Sequence, residues 1–376
     1  MFTWGLLLIT IWLLEADRRK NSRRIYWLVP IVIVWTNTHG GFLTLLMAVG
    51  VYAAGTGLEQ MWAAYDSHPE RFSWHIPAAV KRYGLVLLLC SAGTLVNPYG
   101  YQLHVHIAGY LGSDFILNNV QEFQSPNFRG ESMLVYEGFL LLGLILLVRL
   151  VKRRELAQAL LLLAWSHASL VSVRHVPLFM IVSAPLIARE LTLFIAEGAG
   201  SGNTWLKAIH SMAADYGGSK PSASFIRAPA FSWLPLVAVL VIASMLHLRG
   251  DNYRWKAQFP EVRFPVAACE ALEDRMIERR VLSSDQWSDY LIYSFYPRMK
   301  VFFDGRSDFY APSIRGEYLQ LMGAGWRWEE IVDRHQFDAA LLPLEWSLTS
   351  AMKVHPDWAV VYDDGMAVYF ERVRRE

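Results

Sequence analysis

Apolar runs separated by short polar segments fill the first two thirds of the chain. Several runs are shorter than the roughly 20 residues that span a bilayer comfortably, but each is interpreted as a membrane crossing. The runs cover residues 1–14, 25–38, 42–57, 83–96, 133–148, 156–173, 176–188 and 231–248. This pattern predicts a mainly α-helical polytopic membrane domain of about eight crossings over residues 1–248.

A polar stretch, WTNTHGGF at residues 35–42, lies between the second and third runs. A polar break inside the bilayer would leave backbone groups without hydrogen-bond partners, at a cost of several kcal/mol for each group. We therefore expect a turn at the membrane surface, with a single long helix or a re-entrant pair as the alternatives. Asn37 and His39 either contact substrate there or cap the adjoining helices.

Lysine and arginine fall mostly on one side of the predicted bundle. If every run crosses once, segments 15–24, 59–82, 149–155 and 189–230 share a side and hold 16 of the 18 basic residues before residue 249. The positive-inside rule assigns that side to the cytoplasm. Residues 97–131, the Arg174 and His175 pair, and the whole region after residue 248 are then extracytoplasmic. Polar chemistry is thus expected to gather on the outer face.

After residue 248 the pattern changes to alternating helix and strand signals. This region has 17 basic and 21 acidic residues, against 18 and 13 before it. Periodicity predicts helices over 264–276, 314–322 and 328–335, and short strands over 280–283, 300–304 and 338–343. The closing segment WAVVYDDGMAVYFERV predicts a hairpin that turns at Asp364 and Gly365. Residues 249–376 are therefore predicted to form a small extracytoplasmic α/β domain.

Composition narrows the possible functions. The chain is 54% hydrophobic with a formal net charge of only +1, which gives no indication of nucleic-acid binding. The two cysteines, Cys90 and Cys269, argue against a disulfide framework and a cysteine-based metal site. His104 and His106 form an H-x-H pair without a matched third ligand, so no metal site is assigned, and a divalent metal cofactor remains open.

The predicted outer segments supply candidates for catalysis and phosphate binding. Glu122 or Asp114 could act as a general base that deprotonates an acceptor hydroxyl, the alternative being a solvated helix face. Arg174 and His175 follow an apolar run, and a guanidinium suits phosphate because its planar donors hold two oxygens at once. The alternative for Arg174 is a snorkelling cation at the membrane interface.

Polar residues at predicted strand ends of the tail are the candidates for substrate binding, because α/β domains place polar ligands there. The alternative is a helix capped by Ser284 or Asp285, together with a turn network. The candidate residues are Trp287, Asp289, Tyr290, Asp304, Arg306 and Asp308.

Five motifs spread over nearly the whole chain, THGGF, LVNPYG, VQEFQSPNF, RHVPLF and FFDGRSDFY, resemble those of bacterial multi-pass proteins of the GT-C superfamily of membrane glycosyltransferases. VLSSDQWSDY followed by VFFDG is similar to the oligosaccharyltransferase branch, but paired tryptophans and a glycine after the tyrosine are absent. The resemblance implies transfer of a sugar from a polyprenyl-phosphate-linked donor to an envelope acceptor at the outer face of the bacterial inner membrane. The bilayer and the lipid-linked sugar are the implied partners.

Members of the superfamily carry an essential acidic residue in the first outer loop, and no such loop precedes residues 1–14. The basic flank Arg18, Arg19 and Lys20 would also place Met1 outside the cytoplasm. Both features predict that the chain is the later part of a longer protein. A non-catalytic component of envelope polysaccharide assembly or export is the competing hypothesis. A transporter is a third, although ionisable residues within the runs are sparse.

Overall fold

A computed structural model of the protein describes residues 2–67, 69–71, 76–130, 133–217 and 259–373. The chain divides into two compact units, Met1–Lys220 and Pro221–Glu376. The predicted crossing at 231–248 and the predicted boundary after residue 248 lie outside the described residues.

Helices build the described part of the first unit. They are α1 (Phe2–Lys20), α2 (Leu28–Thr36), α3 (Leu43–Ser67), α4 (Ala78–Gly93), α5 (Gln102–Leu111), α6 (Asp114–Asn119), α7 (Met133–Lys152), α8 (Leu156–Val171), α9 (Val176–Gly200) and α10 (Thr204–Gly217). Single 3-10 turns at Gly40–Phe42, Gln121–Phe123 and Val173–His175 lie in the connections.

Among the residues that the structure describes, three helical segments are long and apolar enough to cross a membrane: Gly40–Ser67, Met133–Lys152 and Val173–Gly200. They indicate a membrane protein. Helix α8 is apolar but shorter, and α2 has only nine residues. Helix α1 ends in the cationic sequence Arg18, Arg19 and Lys20. The eight-crossing topology and the orientation of the chain stay predictions.

The WTNTHGGF stretch forms a turn between two helices, as predicted, and the single long helix is excluded. Helix α2 ends at Thr36, and Asn37 follows as its C-cap. The Asn37 Nδ2 donates to the carbonyl oxygens of Ile33 at 2.8 Å and Val96 at 2.7 Å. The Asn37 side chain therefore closes α2 and ties it to the residues after α4.

Helices α3 and α8 approach so closely that only glycine fits at Gly55. A Cβ built there would lie 2.2 Å from the Ala157 Cα and 2.6 Å from the Ala157 backbone nitrogen. One turn later, the Glu59 Oε1 accepts a hydrogen bond from that same nitrogen at 2.9 Å. Since the first backbone N–H groups of a helix have no intrahelical partner, Glu59 caps α8 from the neighbouring helix.

Charged residues at one end of the bundle pair across helices. Asp17 on α1 is buried, and its carboxylate accepts two hydrogen bonds from Arg82 on α4, at 3.0 and 2.6 Å. Glu190 on α9 is likewise buried and binds Arg149 and Arg153 of α7 at 2.9 and 3.0 Å. Arg82, Arg149 and Arg153 are among the basic residues from which the orientation of the chain is predicted. They therefore also stabilise the packing of the helices.

The second unit is a small four-stranded sheet with helices on both faces. The strands are β1 (Val281–Ser283), β2 (Ala339–Pro343), β3 (Trp358–Asp363) and β4 (Ala367–Arg372). The helices are α11 (Val266–Ile277), α12 (Asp285–Phe295), α13 (Pro312–Met322), α14 (Trp328–Arg334) and α15 (Ser347–Val354). The strand order is β1-β2-β4-β3, with β1 and β2 parallel and the remaining pairs antiparallel.

Strand β2 is buried along its whole length, because its alternate residues face different helices. Ala339 and Leu341 pack with α11 and α12, whereas Ala340 and Leu342 pack with α14 and α15. The α/β architecture of the tail is therefore confirmed, and the predicted hairpin is present, with Gly365 at a φ of +85° in its turn.

The strand predicted over residues 300–304 is wrong, because this segment does not pair with the sheet in the structure. Its apolar residues serve aromatic packing instead. The Phe303 ring stacks on Tyr318 with centroids 4.1 Å apart, and Phe302 packs against His335 at 4.6 Å. Helix α15, which the sequence patterns did not indicate, covers part of the sheet through Leu348 and Met352.

Candidate functional site

A pocket of about 440 Å³ in the first unit brings together four of the residues proposed from sequence. They come from three separate parts of the chain, which are the turn before α3, the turn at Gln121–Phe123 and the turn before α9. The four residues are His39, Glu122, Arg174 and His175.

Two backbone-directed hydrogen bonds explain why Glu122 and Arg174 meet. The Ser172 hydroxyl donates to the carbonyl oxygen of Glu122 at 2.8 Å. The Val173 N–H donates to the carbonyl oxygen of Gln124 at 2.9 Å. The two 3-10 turns are therefore fixed to each other, and each presents a charged side chain to the same pocket.

The Arg174 guanidinium lies between a carboxylate and an aromatic ring. Its Nη1 is 3.5 Å from the Glu122 Oε1, and its central carbon lies 4.5 Å from the centre of the Phe123 ring. The Arg174 side chain is 33% exposed and that of Glu122 is 53% exposed. An ion pair this exposed contributes about 0–1 kcal/mol, so an incoming anion can separate the two groups at little cost.

His175 has one ring nitrogen engaged by the protein. Its Nδ1 is 3.2 Å from the carbonyl oxygen of Ala168. Because a carbonyl can only accept, Nδ1 must carry the hydrogen of this bond, which leaves Nε2 for a ligand. The backbone contact fixes the orientation of the ring next to Arg174.

His39 has the opposite tautomer to His175. Its Nδ1 lies 3.0 Å from the Gly41 N–H and 2.9 Å from the Thr3 hydroxyl. The N–H can only donate, so Nδ1 is the acceptor and the neutral ring carries its hydrogen on Nε2. The Nδ1 of His39 thus caps the 3-10 turn. The Nε2–H is a hydrogen-bond donor that a ligand in the pocket can use. A Cβ at Gly41 would lie 2.6 Å from the Thr3 hydroxyl oxygen, so this position requires glycine or a shift of Thr3.

The pocket also contains residues that the sequence patterns did not single out. Thr3 and Trp4 of α1, Thr44 of α3 and Tyr110 of α5 line it. Tyr110 packs edge-on against Phe123, with centroids 5.6 Å apart. The only signal for Trp4 and Tyr110 in the sequence is the abundance of tryptophan and tyrosine, which membrane-interface belts also produce.

Other candidates of the first unit lie elsewhere. Asp114 is exposed in the first turn of α6, which Ser113 caps, and it does not line the pocket. Asn37 is engaged with two backbone carbonyls. The His104 Nε2 is 2.8 Å from the Thr94 hydroxyl oxygen. Of the two carboxylates proposed as general base, the pocket includes Glu122.

Two of the tail candidates are core residues. Trp287 is 5% exposed and Tyr290 is 8% exposed, and both belong to the apolar cluster between the sheet, α11 and α12. The indole N–H of Trp287 donates to the carbonyl oxygen of Arg263 at 3.0 Å. Neither ring is open to a substrate in this structure, so both contribute to packing.

The remaining tail candidates form a turn network beside the first half of α12. Asp304 is fully buried, and Arg306 donates to its two carboxylate oxygens at 3.0 and 2.5 Å. Burial opposes ionisation of Asp304, but these bonds hold the pKa of its carboxyl below the usual value. Asp289 accepts from the Gly305 N–H at 3.1 Å, and partial burial, followed by the charges of Asp304 and Asp285, raises its pKa.

Asp308 is partly buried in the 3-10 turn Ser307–Phe309 that follows this network. This arrangement agrees with the alternative of a capped helix and a turn network, because Ser284 caps α12 by accepting from the Trp287 N–H.

Within the ranges that the structure describes, no group of three or more histidine, cysteine, aspartate or glutamate side chains could hold a metal ion. A scan against protein-family models gives no match, and a search among curated proteins finds no similar sequence.

Proposed function

We propose that the protein is an integral membrane glycosyltransferase of GT-C type, which transfers a sugar from a polyprenyl-phosphate-linked donor to an envelope acceptor. We place the reaction at the outer face of the bacterial inner membrane. The observation that supports this proposal most is the shared pocket of Glu122, Arg174, His175 and His39. It combines a carboxylate, a guanidinium and two imidazoles next to helices of a membrane protein.

Donor binding is the first step of the proposed reaction. The phosphate takes the place of the Glu122 carboxylate on Arg174, since the existing pair is long and exposed. The Nε2–H of His39 is a further donor for the phosphate oxygens, whereas the Nε2 of the neutral His175 ring is an acceptor. Apolar residues of the same pocket, including Leu178 and Ile107, accommodate the start of the isoprenoid chain.

Release from Arg174 prepares Glu122 for catalysis. The free carboxylate accepts the proton of the acceptor hydroxyl while the hydroxyl oxygen attacks the anomeric carbon of the sugar. The bond between that carbon and the phosphate oxygen breaks, and polyprenyl phosphate leaves with the electron pair. Arg174 stabilises the charge of the leaving group, which is greatest in the transition state and product.

The test measures sugar transfer by the reconstituted full chain. The donor is a labelled polyprenyl-phosphate sugar, and the acceptor is an isolated envelope polysaccharide fraction. We expect Glu122→Gln to lower kcat by a factor of about 100 or more, as for loss of a general base. Arg174→Ala should raise KM and lower kcat together. Arg129→Ala and Asp114→Asn change outer-segment charges outside the pocket and should keep wild-type rates. Wild-type rates for both pocket variants would refute the assignment.

The Glu122–Arg174 pair also suits a second candidate, a non-catalytic component of an envelope polysaccharide assembly or export system. In that case the pair would only join the two turns. No turnover would be found, and Arg174→Ala would lower the melting temperature without changing the binding of any lipid phosphate.

A further inference from the structure

A second pocket, of about 480 Å³, lies in the C-terminal unit, at the start of β1 and apart from all the candidates above. Its lining includes several basic side chains but no aspartate or glutamate. Its basic or potentially basic lining residues are Arg279, Arg280, Arg298, Lys300 and His335.

Two of these cations are already compensated. The Arg279 guanidinium lies 3.0 Å from Glu371, and that of Arg298 lies 2.7 Å from Glu273. These two pairs fix the walls of the pocket but leave little net charge for a ligand. His335 is held in a similar way, since its Nε2 is 2.6 Å from the Glu317 carboxylate.

The side chains of Arg280 and Lys300 form no ion pair with an acid in the part of the chain that the structure describes, although the Asp338 carboxylate accepts from the Arg280 backbone N–H at 2.7 Å. Arg280 donates from Nη1 to the neutral amide oxygen of Gln336 at 2.9 Å. Lys300 is exposed and forms no ion pair with any residue that the structure describes. The pocket therefore offers one planar guanidinium and one compact ammonium group to the same ligand.

Acids also lie near the amino end of β1, since Asp338 accepts from the Arg280 backbone N–H and Glu371 pairs with Arg279. Neither carboxylate lines the pocket, so a ligand inside it meets the cations directly. The pocket also has an apolar wall, formed by Met299, Phe302 and Phe337.

We propose that this pocket binds a phosphate group, either free or as part of a lipid head group. Arginine holds two phosphate oxygens at once through its planar donors, and lysine adds a flexible point charge. The apolar wall suits the organic part of a phosphate ester. The proposal is independent of the function assigned to the first unit, because it concerns different residues.

Binding should be measured by calorimetry on the full chain in neutral detergent, with Arg174→Ala introduced to remove the proposed phosphate contact of the first unit. The probes are inorganic pyrophosphate and dihexanoyl-phosphatidylglycerol, with dihexanoyl-phosphatidylcholine as the zwitterionic control. We expect Arg280→Ala with Lys300→Ala to weaken binding of the preferred probe about tenfold or more. Arg327→Ala with Lys353→Ala removes equal charge from exposed positions outside the pocket and should have no effect.

The pattern of binding identifies the source of the phosphate. Pyrophosphate binding that depends on Arg280 and Lys300 supports a free phosphate ligand, and binding of phosphatidylglycerol alone supports a lipid head group. Lys300→Ala serves as a second variant, because removing an exposed side chain without an ion-pair partner leaves the fold intact; about threefold weaker binding is expected. No binding of either probe, or equal losses in the control pair, would overturn the proposal.

Discussion

Substituting Gly55 by alanine tests the packing of helices α3 and α8 most sharply. The added Cβ would lie 2.2 Å from the Ala157 Cα and 2.6 Å from its backbone nitrogen, whereas ordinary contact begins near 3.4 Å. Both atoms belong to the backbone, so no side-chain rotation relieves the overlap. The two helices must separate by more than 1 Å at this point.

The separation also affects the hydrogen bond from the Ala157 N–H to Glu59, which is 2.9 Å long and lies one turn from Gly55. Glu59 in turn accepts from Arg18 of α1 at 3.3 Å, so three helices meet there. Overpacking of a close contact typically costs about 1–3 kcal/mol, and loss of a helix cap adds about 1 kcal/mol. We therefore expect Gly55→Ala to lower the free energy of unfolding by about 3 kcal/mol.

Gly50→Ala is the matched control, since it makes the same substitution in the same helix. A Cβ at Gly50 meets nothing within 4 Å. Alanine is a better helix former than glycine, so this variant should gain about 0.5–1 kcal/mol. Thermal unfolding of both variants in one detergent, followed by tryptophan fluorescence, gives the comparison. If Gly55→Ala melts at or above the temperature of Gly50→Ala, the close approach of α3 and α8 is refuted.

Three further predictions concern buried or neighbouring carboxylates. Asp17→Ala should lower the free energy of unfolding by about 3 kcal/mol, because it leaves Arg82 without its buried partner; detergent thermal melts measure it. The pKa of Asp304 is lower in the folded protein than in the unfolded chain, so its stabilisation is present above the unfolded pKa and is lost as the pH falls through the folded one. Asp304→Asn should therefore remove about 2 kcal/mol at pH 7 and progressively less as the pH falls, as melts over a series of acidic pH values will show. The pKa of Asp289 is raised in the folded protein, so stability is lost as the pH rises through it. Asp289→Asn should gain roughly 0.5 kcal/mol at pH 7 but nothing at pH 3.

Each carboxylate prediction has its own contradicting result. Wild-type melting of Asp17→Ala would mean that α1 and α4 do not depend on the ion pair. A loss for Asp304→Asn that stays equal across the pH series would indicate a packing effect rather than a charge effect. A destabilised Asp289→Asn at pH 7 would show that the carboxylate is needed by the Gly305 N–H, to which it is bonded at 3.1 Å.

Sequence reasoning succeeded where one local signal determined the structure. The Asn37–His39 turn, the Ser284 cap and the Asp364–Gly365 hairpin each follow from residue types with strong backbone preferences. It failed at residues 300–304, where apolar alternation reflects stacking of Phe303 on Tyr318 instead of pairing in a sheet. Local periodicity cannot distinguish these two forms of burial.

Individual residues of the candidate site were predictable from the sequence, but their meeting in one pocket was not. Glu122, Arg174 and His175 stand out as charged or polar residues near apolar runs, but their meeting depends on hydrogen bonds from Ser172 and Val173. These bonds join positions about 50 residues apart and have no signature in the sequence. Trp287 was misleading, because tryptophan is equally suited to a sugar platform and to a core.

Direct binding of polyprenyl phosphate is the measurement closest to the central claim, which is that Arg174 holds a lipid phosphate. Titration of the purified full chain by native mass spectrometry compares the wild type with Arg174→Ala and Arg129→Ala, and polyprenol without phosphate serves as the ligand control. We predict that Arg174→Ala weakens phosphate-dependent binding about tenfold or more, whereas Arg129→Ala binds like the wild type. Equal affinities for all three proteins, or equal binding of polyprenol, would contradict the account.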